Sequence, residues 1–285
     1  MIPAGIQIKQ FIRFFIFSSL FIALCAVVMV NQTYWLVLKT TPNLNYLAFV
    51  FFATVTSYNF HWMLSPRSVN PSQRLQWTLD HKNYHRIFYL IGAAGAAFFF
   101  FFLTQHWAWL LMSAIVTFLY SAPKIPVRSI KILKKIAVGK TIYLALVWTL
   151  VTTLLPVIIS DVDWRMDIYL FITGRFFFIY AICILFDYKD REDDNAEGIH
   201  SMVTFLSEKG ITIIFALSLM LFGIITIGML QYDYSLFHVI ILLVPGIILA
   251  LLYNYSKKNF SDYYYFIVLD GLMMFSALIM LLLSI

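Results

Sequence analysis

The chain has 285 residues, of which 62% are hydrophobic and only 12% are charged. A water-soluble domain of this size carries about a quarter of its residues as charged side chains, so the composition excludes a soluble globular protein and predicts a chain that folds in lipid. The net charge of +6 is not gathered on any soluble module. This argues against nucleic-acid binding and favours contact with anionic lipid head groups or an anionic substrate.

Apolar runs long enough to cross a bilayer recur along the whole sequence. A transmembrane helix needs about 20 residues, and continuous apolar runs are typical of helices rather than of the alternating strands of a membrane barrel. We therefore predict an all-α, polytopic membrane bundle of about nine helices, which forms a single domain over residues 1–285. The predicted spans are 11–30, 44–64, 87–104, 106–122, 137–159, 168–186, 211–230, 236–254 and 263–284.

The basic residues predict how these helices are oriented. If there are nine spans, the N-terminus and the loops after the second, fourth, sixth and eighth helices share one side. Those segments contain most of the 20 Lys and Arg residues. Because cytoplasmic loops are enriched in Lys and Arg, we predict an integral protein of the cytoplasmic (inner) membrane, with its N-terminus inside and its C-terminus outside.

The segment after the predicted sixth helix is the most acidic part of the chain. Asp187, Asp190 and Asp194 are spaced i, i+3 and i+7. If the helix continues through them, their carboxylates lie on one face, where mutual repulsion raises their pKa values unless a cation joins them. Oxygen ligands of this kind suit Mg²⁺, which also binds substrate phosphates. The alternative is a solvated helix end whose charge is balanced by Lys189 and Arg191.

Two segments of the chain resemble the UbiA superfamily of intramembrane prenyltransferases. The Asp-x-x-Asp-x-x-x-Asp pattern that begins at Asp187 resembles the second aspartate-rich motif of that family. The Tyr-Ser-Ala-Pro segment that begins at Tyr120, followed by the basic residues Lys124 and Arg128, resembles its Tyr-Ser-x-Pro segment. The predicted number of helices also fits, so the resemblance covers essentially the whole chain.

The resemblance implies a particular chemistry. In this family, two aspartate-rich motifs bind Mg²⁺ and the diphosphate of an isoprenoid donor, and the allylic cation left by ionisation alkylates an acceptor that is often aromatic. Asp187, Asp190 and Asp194 would then be the catalytic Mg²⁺ ligands of the second motif. The implied partners are membrane lipid, a prenyl diphosphate donor and a hydrophobic acceptor. We predict no nucleic acid and no obligate protein partner.

The chain departs from the family at the first aspartate-rich motif. That motif should end the second helix, but no carboxylate stands between Asn59 and Asp80. Asn59 remains as a candidate oxygen ligand, and neighbouring basic residues are candidates for the phosphate charge, because Arg forks match phosphate oxygens. The predicted substrate-binding residues are His61, Arg67, Arg74, Tyr120, Lys124, Arg128, Lys189 and Arg191. The alternative for the basic residues is contact with lipid head groups.

Other hypotheses follow from the missing motif and from single residues. A bundle of this fold that binds an isoprenoid or another lipid without catalysis is the main alternative. A transporter is a weaker one, because paired intramembrane charges are scarce. Asp270, in the ninth helix, is either a functional residue or a structural partner of Arg175 or of a buried hydroxyl group. Lys140 is interpreted as a lysine that extends to the membrane interface.

Overall fold

The protein is described by a computed structural model that covers residues 4–65, 72–121, 139–196 and 201–283. Within these ranges the chain is helical and contains no β-strand. The helices are α1 (Ala4–Phe17), α2 (Leu20–Gln32), α3 (Leu44–Met63), α4 (Gln73–Asp80), α5 (Lys82–Phe100), α6 (Trp107–Ser121), α7 (Lys140–Thr149), α8 (Leu155–Ile159), α9 (Met166–Lys189), α10 (Arg191–Ala196), α11 (Met202–Phe205), α12 (Glu208–Gly228), α13 (Leu236–Ser256) and α14 (Asp270–Leu283). Wider π-helical turns extend α2 (Thr33–Leu38), join α7 to α8 (Leu150–Leu154) and lead into α14 (Tyr264–Leu269).

Seven segments of the described chain are long and apolar enough to cross a membrane. Six of them correspond one to one to predicted spans, and the seventh, Lys82–Ser121, contains the predicted third and fourth spans. The 20-residue helix α3 matches the predicted second span, although it is not among the seven. The prediction of an all-α, polytopic membrane protein is confirmed, and the count of nine helices is approximate.

The 40-residue segment that contains α5 and α6 is a helical hairpin. A straight helix of that length would measure about 60 Å, twice the thickness of the hydrocarbon core. Leu103, between the two helices, has non-helical dihedral angles (φ −123°, ψ 17°). His85 near the start of the segment lies 2.6 Å from Asn59, and Ser121 at its end lies 3.2 Å from His61. Because both partners belong to the end of α3, α5 and α6 are antiparallel.

The first predicted span is interrupted between α1 and α2. Ser19 has a φ of 69°, in the left-handed region that non-glycine residues seldom occupy. The break frees polar groups for other helices: the Ser18 carbonyl accepts a hydrogen bond from Asn59 Nδ2 at 3.0 Å, and Ser19 Oγ accepts one from Arg74 Nη2 at 3.1 Å. The span predicted at 11–30 therefore begins later, and its apolar part runs to Leu38.

The described residues that border the connections after the second, fourth, sixth and eighth predicted spans lie together at one end of the bundle, which we call the motif end. There Glu208 at the start of α12 forms ion pairs with Arg191 and with Lys257 just after α13. Asp262, in the connection to α14, pairs with Lys189 at the end of α9. The order of helix directions therefore agrees with the sequence prediction. The side of the membrane that this end faces stays a prediction.

Helix α9 occupies the centre of the bundle. Five of its residues in a row, 181–185, are buried, as expected for a helix that is apolar all round. It packs against α7 on one side and α12 on the other. The residues that follow its C-terminal end are thereby fixed relative to the start of α7.

Helices α3 and α5 approach each other very closely at two glycines. A Cβ atom at Gly92 would lie 3.0 Å from the backbone carbonyl oxygen of Phe52 and 2.6 Å from Thr56 Oγ1. At Gly95 it would lie 2.5 Å from the Phe52 ring. Small residues at such positions allow helix backbones to pack in lipid, where apolar burial gives little driving force between helices.

Candidate functional site

Three charged side chains converge at the motif end. The Lys140 ammonium lies 3.6 Å from Asp187 Oδ1 and 3.6 Å from Asp194 Oδ2. Thr141 Oγ1 donates a hydrogen bond to the other oxygen of Asp187. Both aspartates are buried, with 5% and 7% of their surface exposed. The first turn of α7 is therefore joined to the C-terminal end of α9 by a cation held between two carboxylates.

The turn between α9 and α10 decides how the three predicted aspartates are arranged. α9 ends at Lys189, and Asp190 follows with nearly helical angles (φ −85°, ψ 0°). The Asp194 amide donates to the Asp190 carbonyl oxygen at 2.8 Å, so the helical path continues almost unbroken. Asp187 and Asp194 consequently face the same buried region, whereas Asp190 lies at its rim and is exposed. Burial raises the pKa of Asp194 to about 6, against the opposing effect of the Lys140 ammonium.

The acidic cluster has the charge and ligand type that a divalent cation requires. Three carboxylates against one ammonium leave two negative charges, and oxygen ligands of this kind are typical of Mg²⁺ sites. Asp194 Oδ2 is buried without a hydrogen-bond partner, so it is available as a ligand. Over the described ranges, no three His, Cys, Asp or Glu side chains lie close enough to coordinate one ion. The donor type is the one that Mg²⁺ prefers, but the Lys140 ammonium lies between Asp187 and Asp194, so metal binding would require these side chains to rearrange.

Aromatic side chains lie beside the acidic cluster. Tyr120, at the end of α6, is close enough to Lys140 and Asp187 for their charges to act on its hydroxyl group. Its ring stacks on His61 with a centroid distance of 5.5 Å. The ring of Tyr58, one turn earlier on α3, also interacts electrostatically with Tyr120. The structure thus brings the predicted residues Tyr120 and His61 together at the motif end.

A second basic group lies between α1, α3 and the start of α14. The Arg74 guanidinium is sandwiched between the rings of Trp62 and Phe266, 4.3 Å from each centroid, and only 2% of Arg74 is exposed. Among the described residues its Nε–H has no acceptor. Burial lowers the pKa of Arg74 to about 10, and the charges of Asp270 and Asp262 oppose this shift.

Lys189 lies near the same Phe266 ring that Arg74 contacts. Its ammonium is 5.0 Å from the Phe266 centroid and pairs with Asp262. Asp270 interacts electrostatically with Arg74 and Lys189 rather than with Arg175, so the proposed structural pair of Asp270 with Arg175 is not formed. Arg74 and Lys189 therefore form a small cationic group that two acidic residues partly neutralise.

Asn59, the residue that remains where the first motif should be, is fully hydrogen-bonded. Its Oδ1 lies 2.6 Å from His85 Nδ1, and its Nδ2 donates to the carbonyl oxygens of Ser18 and Val55. The side chain is completely buried. Asn59 thus ties α1, α3 and α5 together. A role as a metal ligand, which stays a prediction, would require these bonds to rearrange.

The remaining predicted residues divide into two sets. Arg191 forms an ion pair with Glu208 and donates to the Leu206 carbonyl oxygen, away from the acidic cluster. Arg67, Lys124 and Arg128 lie outside the described residues.

The sequence does not predict that Lys140 pairs with Asp187 and Asp194. It is the only charged residue in the predicted span 137–159, at the end of that span nearest the basic loop. That position is equally typical of a lysine that reaches the membrane interface. Only the packing of α7 against α9 shows that its partners are Asp187 and Asp194. Thr141 and Asp262 carried no sequence signal.

Comparison with known proteins gives one match. The profile of the UbiA prenyltransferase family matches residues 78–279, more than two thirds of the chain. The matched range includes Tyr120, Lys140 and the three aspartates, and it begins after Asn59 and His61. No curated protein and no solved structure matches the chain.

Proposed function

Because this chain belongs to the UbiA prenyltransferase family, we propose that it transfers an isoprenyl group from a prenyl diphosphate to a hydrophobic acceptor, aromatic or lipid, within the membrane. The observation that supports this most directly is the convergence of Lys140, Asp187 and Asp194 at one end of a membrane bundle. Buried charges of both signs at such a position mark a functional site rather than a lipid-facing surface.

The acidic residues are proposed to hold the metal ion. Asp187, Asp190 and Asp194 would supply carboxylate oxygens from three positions around one helix end. When bound there, Mg²⁺ would balance the charge of the diphosphate and stabilise it as it leaves. Asp194 Oδ2 is buried and lacks a hydrogen-bond partner, so a bound metal ion would offset the cost of its burial.

The cationic residues are proposed to replace the missing first motif. Lys140 already lies within reach of the carboxylates, so a small movement of its flexible side chain would place its ammonium against a phosphate oxygen. Arg74 and Lys189 form a second cationic group at the same end of the bundle. The Nε–H of Arg74, which has no acceptor among the described residues, could donate a hydrogen bond to a phosphate oxygen. These direct contacts would substitute for metal-mediated ones.

The proposed reaction begins with separation of the diphosphate anion from the allylic cation at a site whose aspartates are largely buried. The bonding electrons of the donor C–O bond leave with the diphosphate, and an allylic cation remains. The rings of Tyr58 and Tyr120 would stabilise that cation through cation–π contact. A nucleophilic carbon of the acceptor forms the new bond, and the proton that it loses passes to the released diphosphate.

The test is a transfer assay on purified protein in lipid nanodiscs, with prenyl diphosphates, aromatic acceptors and Mg²⁺. We expect Asp187→Asn and Asp194→Asn to lower turnover at least about 100-fold, as loss of transition-state charge stabilisation does in other enzymes. Asp233→Asn is the matched control, because Asp233 is an exposed residue at the opposite end and Asn tolerates its left-handed backbone. Equal turnover in all three variants would rule the proposal out.

Binding without catalysis is the second candidate function. The observation in its favour is that Asn59 and His61, not carboxylates, stand where the first motif should be. The same proteins can be titrated with a non-hydrolysable prenyl diphosphate analogue, with and without Mg²⁺. Saturable binding with the same affinity in the presence and absence of Mg²⁺, together with no turnover for any donor, would favour this candidate over the transferase.

A further inference from the structure

Arg175 is a buried cation in the half of the bundle away from the motif end. It lies on α9, twelve residues before Asp187, which corresponds to about 18 Å along the helix. Only 7% of it is exposed. Its guanidinium stacks on the Phe171 ring at 4.4 Å. An ionisable side chain at this depth in a membrane protein is expensive to bury and is a functional candidate by default.

Neutral oxygens surround one side of this guanidinium. Nη1 lies within 3.2 Å of the carbonyl oxygens of Met29 and Thr152 and the hydroxyl groups of Thr33 and Thr153. Thr33 and Thr152 lie in two separate π-helical turns. Such turns are rare and are often found at functional sites. The two widened helices thus fix the orientation of Arg175.

The other side of the guanidinium keeps unused donors. Nη2 donates one hydrogen bond, to Gln32 Oε1 at 2.6 Å. Within the described chain, the second Nη2–H and the Nε–H have no acceptor, and no carboxylate acts on Arg175. In a guanidinium the Nε–H and one Nη2–H are parallel, and such a pair forms the fork that binds two oxygens of one anionic group. Arg175 therefore has both a spare charge and a spare pair of donors.

A cavity of about 30 Å³ lies against Arg175. This is room for one or two water molecules or for a small polar group, and too little for a phosphate with its substituents. Its polar lining is Gln32, Arg175, Thr226 and Ser276, and the remaining walls are mainly apolar side chains of α9, α12, α13 and α14. The space therefore suits a small anionic head attached to an apolar body.

We propose that this cavity binds the carboxylate of a membrane-dissolved amphipathic acid, with its two oxygens on the Nε–H and Nη2–H of Arg175. A carboxylate matches the fork in shape and neutralises the buried charge, whereas its apolar body remains among the lipid-facing helices. This second site is remote from the acidic cluster, and the inference does not rest on the proposed transfer reaction.

The test uses the full chain in phosphatidylcholine nanodiscs with radiolabelled oleate as the probe. Gly174 lines the cavity, and a Cβ atom there would meet Ile225 and Thr226 at 3.4 and 3.6 Å, so Gly174→Ala should fold and narrow the space. The matched control is Gly223→Ala on the neighbouring helix, where a Cβ atom meets nothing within 4 Å. Arg175→Lys keeps the charge and removes the fork.

We expect saturable oleate binding that oleyl alcohol and acetate do not displace. Arg175→Lys and Gly174→Ala should weaken it about 10-fold or more, and Gly223→Ala should leave it unchanged. Binding that is unaffected by Gly174→Ala would overturn the proposal, as would equal displacement of oleate by oleyl alcohol or by acetate. If Arg175→Lys does not fold, the comparison of Gly174→Ala with Gly223→Ala still tests the proposal. Failure of prenyl transfer in the other assay would leave these results unaffected.

Discussion

The three aspartates at the end of α9 have different surroundings, with Asp187 and Asp194 buried and Asp190 exposed. The spacing of Asp187 and Asp194 predicts that they share a face, and they do meet, because the helical path continues past Asp190. The same spacing does not predict that Asp190 is left exposed, since that depends on which helices cover α9. Lys140 was misinterpreted for a related reason. A lone lysine at a span end has the same sequence context whether it faces lipid head groups or two carboxylates.

Replacing Lys140 tests the ion cluster directly. In Lys140→Met, the carboxylates of Asp187 and Asp194 remain buried without their counter-ion, so we expect the free energy of unfolding to fall by about 2 kcal/mol. Thermal unfolding in detergent measures this change. Lys140→Arg should recover most of it. The matched control is Lys82→Met, because Lys82 is exposed at the start of α5. Equal melting temperatures for Lys140→Met and Lys82→Met would show that the cluster contributes no stability.

At the scale of helices, hydrophobic runs predict most boundaries to within a few residues. The span predicted at 236–254 is observed as Leu236–Ser256, and that at 168–186 as Met166–Lys189. The sequence does not predict the break at Ser19, because a left-handed serine is stabilised only by the tertiary contacts around it. The sequence does not predict the π-helical turns Thr33–Leu38 and Leu150–Leu154 either. Their residues Thr33 and Thr152 accept hydrogen bonds from Arg175, which lies far away in the sequence.

The close approach of α3 and α5 depends on the size of one residue. In Gly92→Leu, the side chain would collide with the backbone of α3, whose carbonyl oxygen at Phe52 is only 3.0 Å from the Cβ position. We expect the α5–α6 hairpin to separate from α3 and the protein to lose several kcal/mol of stability. Gly223→Leu, which has open space around it, is the control. Size-exclusion chromatography and thermal unfolding would detect the difference, and two equally stable variants would contradict the packing described.

For the whole molecule, the alternation of helix directions follows from the number of spans and agrees with the contacts at the motif end. What the sequence cannot supply is the arrangement of helices around α9. Each apolar face is compatible with several neighbours, and lipid competes with every one of them. For this reason the cationic group of Arg74 and Lys189, which draws residues from distant parts of the chain, became visible only in the structure.

The membrane orientation can be measured with two engineered cysteines. Cys25 and Cys183 are buried, so they should not react with a membrane-impermeant maleimide. If the motif end faces the cytoplasm, as the basic residues predict, intact cells should label Asp163→Cys and not Lys258→Cys. Both positions are exposed in loops at opposite ends of the bundle. Labelling of Lys258→Cys alone would invert the predicted topology, and permeabilised cells provide the control for reactivity.

The α5–α6 hairpin has a consequence for how a long-chain lipid would reach the interior. Most of its surface faces outward, and it touches the rest of the bundle mainly through α3 on one side and α7 on the other. Its packing against α3 is extensive, whereas its contact with α7 is slight, so the border between α6 and α7 is the weaker of the two. If the proposed function is correct, a polyisoprenoid tail dissolved in the bilayer would meet a lower lateral barrier at the border between α6 and α7 than at the border between α3 and α5, while its charged head approaches from the water.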